Sequence, residues 1–217
     1  MKNLFLLVGL FFSVSILCHA QLGSLPKVTG VTSSSATKTT ANAVIDSTKT
    51  PEALLDKAVL ANSQGDKAAT IEALKAGTAA VETEAKSNTG SLKDKLLGQV
   101  SNLKALIPLA ESGVLGGGVL QKAAGVAKLL VAHQRIEALL AGASLIPNVG
   151  AITNNLGILK SGLSVLSPAT QTSGNSLIST ALSGLGKLSQ GGPAVNALIP
   201  SVKGQLGSVL DLVKGGL

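Results

Sequence analysis

The sequence predicts an all-α fold: an antiparallel helical bundle of six to seven amphipathic helices behind a disordered N-terminal tail. Three observations carry this. Leu, Val and Ile recur at steps of three and four along most of residues 51–217. Short Gly- and Pro-containing connections separate those runs, which suits helices packed antiparallel to their neighbours. The only aromatic residues are Phe5, Phe11 and Phe12, so a core beyond them must be built from Leu, Val, Ile and Ala.

Residues 1–20 read as a signal peptide. Lys2 supplies a basic start, Leu4 to Leu17 an apolar stretch, and Cys18-His19-Ala20 leads to a small residue at the expected cut between Ala20 and Gln21. The apolar stretch is shorter than the roughly 20 residues a membrane span needs. A Ser- and Thr-rich segment follows it rather than a basic stop-transfer flank, which argues against an uncleaved anchor. Leu17 before Cys18 argues against a lipoprotein site, where a small residue is wanted. The expected destination is therefore secretion: extracellular, or periplasmic in a Gram-negative bacterium. After removal of residues 1–20 no cysteine remains, so stability has to come from packing without disulfides.

Residues 21–50 read as a flexible tail. Twelve of the 29 residues from Leu22 to Thr50 are Ser or Thr, too little apolar surface to offset the entropy of ordering. The tail serves as a spacer or as an O-glycosylated stalk; no Asn-X-Ser/Thr sequon occurs in the chain. The helical domain is expected over 51–217.

Its first helix starts at Thr50-Pro51-Glu52, where Thr50 caps, Pro51 suits the first turn and Glu52 meets the positive helix end. It runs to Gln64. Gly65 provides a left-handed stop, and Asp66 caps a second helix reaching about Lys86. The stretch from Ala58 to Ala85 resembles a tetratricopeptide unit in its small-residue spacing. No second copy follows, whereas stacked repeats need about three, so no repeat fold is implied.

Ser91-Leu92-Lys93-Asp94 resembles a capping box opening a third helix, with Leu92, Leu96, Val100, Leu103 and Ile107 on one stripe and Pro108 expected to kink or end it. After Gly116-Gly117-Gly118 a fourth helix runs from about Val119 to Ala141, stopped by Gly142. It is apolar over much of its circumference, as a central helix would be. Lys128, His133, Arg135 and Glu137 interrupt it, so it is not read as transmembrane. Val149, Ile152, Leu156, Leu159, Leu163 and Leu166 define a fifth helix between Pro147 and Pro168. Leu177, Ala181, Leu185 and Leu188 define a sixth, between a Thr172-Ser173-Gly174 loop and Gly191-Gly192-Pro193. Val195, Leu198, Val202, Leu206, Val209 and Val213 define a seventh, bent at Pro200. The segments beginning Leu145-Ile146-Pro147 and Leu198-Ile199-Pro200 echo one another, as an origin by hairpin duplication would leave them.

Composition excludes several functions. Stacking platforms, aromatic cages and thiolate metal sites need side chains absent beyond residue 20. The chain carries 18 Lys and Arg against 11 Asp and Glu, yet no dense basic run, so nucleic acid is not an expected partner. Only 12 of residues 95–217 are charged, which leaves their helices dependent on burial of the aliphatic stripes.

The densest polar cluster is His133, Gln134, Arg135 and Glu137. His133 and Glu137 are one turn apart, but two ligands are too few for a metal, and the cluster reads as a solvated helix end. Ser101–Lys104 and Ser35–Lys38 match Ser-x-x-Lys without the companion motifs of serine acyl enzymes. Gly184-Leu185-Gly186-Lys187 lacks both the earlier Gly and the following Ser or Thr of a phosphate loop. Glu82 and Glu84, two apart on a helix, point to different sides and cannot flank one bond. No catalytic, metal or cofactor residue is assigned.

The expected function is that of a secreted non-enzymatic helical protein with a binding or structural interaction role through a protein partner or self-association. The alternatives are a carrier of lipid or a small apolar ligand between helices, and an amphipathic membrane-active protein. No stable transmembrane segment is expected in the mature chain.

Overall fold

In the computed structural model, residues 49–142, 144–192 and 195–217 are described. The expected signal peptide with Ala20 and Gln21, the tail as far as residue 48, and the Ser35–Lys38 pair lie outside them. Among the described residues there are seven α-helices and no strand: α1 (Pro51–Ser63), α2 (Lys67–Ser87), α3 (Lys93–Ser112), α4 (Gly117–Ala141), α5 (Val149–Gly162), α6 (Pro168–Ser189) and α7 (Val195–Gly216). Single 3-10 turns at Ile146–Asn148 and Leu163–Val165 flank α5. None of these helices is long and apolar enough to cross a membrane.

The first helices begin and end where local chemistry demands. The Thr50 hydroxyl accepts a hydrogen bond from the Ala53 amide at 3.3 Å, and Pro51 opens α1. Gly65 takes φ +75°, and the Asp66 carboxylate accepts from the Ala69 amide at 2.9 Å to start α2.

Four expectations are corrected. The capping box at Ser91 does not form: α3 starts after Leu92 with no side-chain cap, because Ser91 donates its amide and its hydroxyl to Glu137 of α4 instead, at 3.0 and 3.4 Å. Pro108 does not end α3. It sits on the exposed face with Lys104, and the helix continues to Ser112, so of the two effects expected of it, a kink or an end, the end does not occur. Gly117 and Gly118 belong to α4 rather than to the loop before it. Thr172-Ser173-Gly174 is helical, because Pro168 and the Ser167 cap start α6 about two turns earlier. Gly174 is buried there, where a Cβ would stand 2.6 Å from Leu163 Cδ1, so its role is close approach and not a turn.

Two apolar clusters form the core. One gathers Leu55, Leu74, Val81, Leu96 and Leu103 of α1–α3 with Leu120, Ala127, Leu130 and Val131 of α4. The other gathers Leu129, Ala132 and Ile136 of α4 with Ile152, Leu156, Leu159, Ile178, Leu185, Leu206 and Val213 of α5–α7. Helix α4 contributes to both, which explains why it is apolar around most of its circumference. On α6 the buried stripe passes through Ile178, with Leu177 only half-buried beside it.

Candidate binding cleft

The first turn of α1, the cap after α2, the last turns of α4 and the middle of α5 line an open surface cleft of about 760 Å³. That volume lies within the range of clefts that hold small organic ligands, roughly 300–1,000 Å³. Its apolar wall is Ala53, Ala138, Leu139, Ala151 and Ile158. Small side chains leave the space, since a larger residue at Ala138 or Ala151 would fill it.

The polar side of the cleft is organised by Arg135. Its Nε and Nη2 donate to the two carboxylate oxygens of Glu84 at 2.7 and 2.8 Å, a bidentate pair. Its Nη1 lies 2.9 Å from Glu52 Oε1, a second ion pair. Burial by itself lowers the Arg135 pKa; the hydrogen bonds to Glu84 and the charges of Glu52 and Glu84 outweigh it and raise it. Asp56, also on the lining, pairs with Lys128 at 2.7 Å.

Asn155 of α5 completes the lining. It lies between Ile152 and Leu159 on the buried stripe and is only 7% exposed. Its Nδ2 donates to the Ala151 carbonyl at 2.8 Å, and its Oδ1 is buried with no partner. Glu52 is also 7% exposed. These two residues were not singled out as functional in the sequence. The signal was present for Asn155, a polar side chain on an otherwise aliphatic stripe; Glu52 showed only its helix-end role.

The cluster His133, Arg135 and Glu137 is not one site. Arg135 faces the cleft, Glu137 accepts from Ser91, and His133 is 2% exposed, beside the Leu210 backbone and the charges of Asp211 and Lys214 on α7. The reading of a solvated helix end is overturned, since Gln134 is only 1% exposed as well. The cause is the position of α4 between two cores, which sequence periodicity does not reveal. His133 Nδ1 stands 3.9 Å from Glu137 Oε2, and no group of three or more potential ligands that could hold a metal occurs among the described residues.

The remaining motifs separate likewise. The Ser101 hydroxyl donates to the Leu97 carbonyl at 3.3 Å, while the Lys104 ammonium pairs with Glu82 at 2.6 Å, so the two do not form a nucleophile and base. Glu82 turns toward Lys86 and Lys104, Glu84 toward Arg135, on different sides of α2. Gly184 and Gly186 lie within α6 and form no loop. No family model matches the chain, and neither does a curated protein or a solved structure.

Proposed function

We propose that the chain is a non-enzymatic binding protein that holds a small, mostly aliphatic molecule in the cleft between α1, α4 and α5. The observation that carries this reading is a cleft of about 760 Å³ with an aliphatic wall and a polar side already held in place by Arg135 and its two carboxylates. Rigid placement of the polar groups limits the entropy lost on binding. The N-terminal pattern of Lys2, the apolar stretch and Ala20 supports an exported setting, which the mass of the native protein checks directly.

Saturable uptake of an apolar dye tests the binding role. The chain has no Trp or Tyr, so dye fluorescence is read against little protein background. One dye per chain is expected, with affinity falling at least tenfold in Ala138→Phe or Ala151→Phe while helical circular dichroism is retained. Uptake that does not saturate, or that ignores both substitutions, would overturn the reading.

A second reading is self-association. Leu60 is 57% exposed, Val114 70% and Val119 55%. They gather at one end of the helices, where a Cβ on Gly117 would approach the Asn62 side chain. Light scattering on a size-exclusion column tests it: a dimer that Val114→Ser and Val119→Ser dissociate supports it, and a monomer at high concentration rules it out.

A further inference from the structure

We infer that the aliphatic wall of the cleft receives a segment of this same chain, Ala43-Val44-Ile45, which a ligand displaces in order to bind. The inference rests on the binding role proposed above and names what regulates that site.

The first argument is where the chain enters the fold. Thr50 is part of the cleft lining and has extended backbone, φ −68° and ψ 150°, so the residues before it depart from the rim of the cleft itself. Ile45 is five residues upstream of Thr50. Five residues reach at most about 17 Å, against an edge of about 9 Å for a cube of the cleft's volume, about 760 Å³, so the segment can turn back over it.

The second argument is composition. Between Val31 and Pro51 every residue except Val44 and Ile45 is Ser, Thr, Lys, Asn, Asp or Ala. The wall they would meet is aliphatic as well: Ala138 and Ala151 are exposed, Leu139 and Ile158 half-buried. Covering these side chains removes apolar area from water on both partners. The polar side calls for no charged occupant, since Arg135 is held by Glu84 and Glu52, and Asp56 by Lys128.

Attachment supplies the rest. A segment tethered by a few residues meets its site at an effective concentration of order millimolar, so even a weak apolar contact fills the cleft for much of the time. A free ligand then binds with its affinity reduced in proportion to the fraction of chains whose cleft is open.

Methyl NMR of the native chain and the dye titration together test the inference. Nuclear Overhauser contacts from Ile45 to the methyls of Leu139 or Ile158 are expected at every protein concentration. Val44→Ser combined with Ile45→Ser, verified by circular dichroism, is expected to shift those methyl signals and to leave those of Val114 and Val119 in place. The same variant is expected to bind dye at least fivefold more tightly. Absence of the contacts, or dye affinity within twofold of the parent, would overturn the inference and leave the binding role standing. Contacts that grow with protein concentration would mean that a second copy supplies the segment, and would overturn it too. Dye that binds neither the parent nor the double variant while the contacts persist would overturn the binding role and leave residues 43–45 as the occupant of the cleft.

Discussion

Arg135 shows at the residue scale how much a single partly buried charge decides. It links α4 to Glu84 of α2 and Glu52 of α1, and its removal strands two carboxylates that are 19% and 9% exposed at their side chains. Arg135→Met is therefore expected to lower stability by about 2–4 kcal/mol, somewhat less than for a fully buried pair because the guanidinium reaches solvent. Adding Glu84→Gln and Glu52→Gln to that variant should restore most of the loss, as measured by urea unfolding followed by circular dichroism. His133 predicts the pH response. Burial lowers its pKa below the ordinary 6.5, against the raising influence of Glu137, the Leu210 backbone and Asp211, while Lys214 adds to the lowering. The unfolded chain then binds a proton that the fold refuses, so this contribution is complete above pH 6.5 and is lost as pH falls through the folded value. The urea midpoint should drop between about pH 7 and pH 5, and His133→Leu should flatten that drop. Glu82, held at about 2 by Lys104 and Lys86, titrates well below this window.

At the scale of elements, glycines divide by what surrounds them. On Gly162 of α5 a Cβ would stand 2.7 Å from Leu129 Cγ and 3.2 Å from the Gly125 carbonyl, whereas on Gly157 and Gly186 it would meet nothing within 4 Å. Gly162→Ala is accordingly expected to cost about 1–3 kcal/mol through the displacement of α4 from α5. Gly157→Ala and Gly186→Ala should each stabilise their helices by about 0.5–1 kcal/mol. Thermal unfolding of the three single variants, compared with the parent, decides both signs. The same contrast explains which boundaries were legible. Thr50, Gly65 and Asp66 act on backbone groups within a few residues, and the structure places helix ends there; α4 also ends before Gly142, which is extended. The Ser91 box failed because Glu137, 46 residues away, claims the Ser91 amide and hydroxyl. Likewise Gly174 reads as a turn in sequence, although Leu163 and Leu212 make it a contact point.

For the molecule as a whole, α4 is the element on which cooperativity depends. Adjacent residues Leu129 and Leu130 enter different apolar clusters, and all described residues fall within one compact unit. Leu129→Ala and Leu130→Ala should each cost about 2–5 kcal/mol. Each should also lower amide-exchange protection on both sides of α4: Leu130→Ala in α6 and α7, Leu129→Ala in α1 and α2. Protection lost on one side alone would mean that the two clusters unfold independently.

Sequence by itself determined the all-α class, the stripes of Leu, Val and Ile, and the stops at Gly65 and Gly142, since each depends on neighbours no more than a turn or two away. Only the tertiary structure decided that these stripes form two clusters around a shared helix. It also buried His133 and Gln134, and it brought Glu52, Arg135 and Asn155 to one cleft. Those outcomes depend on which helix faces are placed together. Residues a hundred positions apart meet through packing, and no local periodicity encodes that.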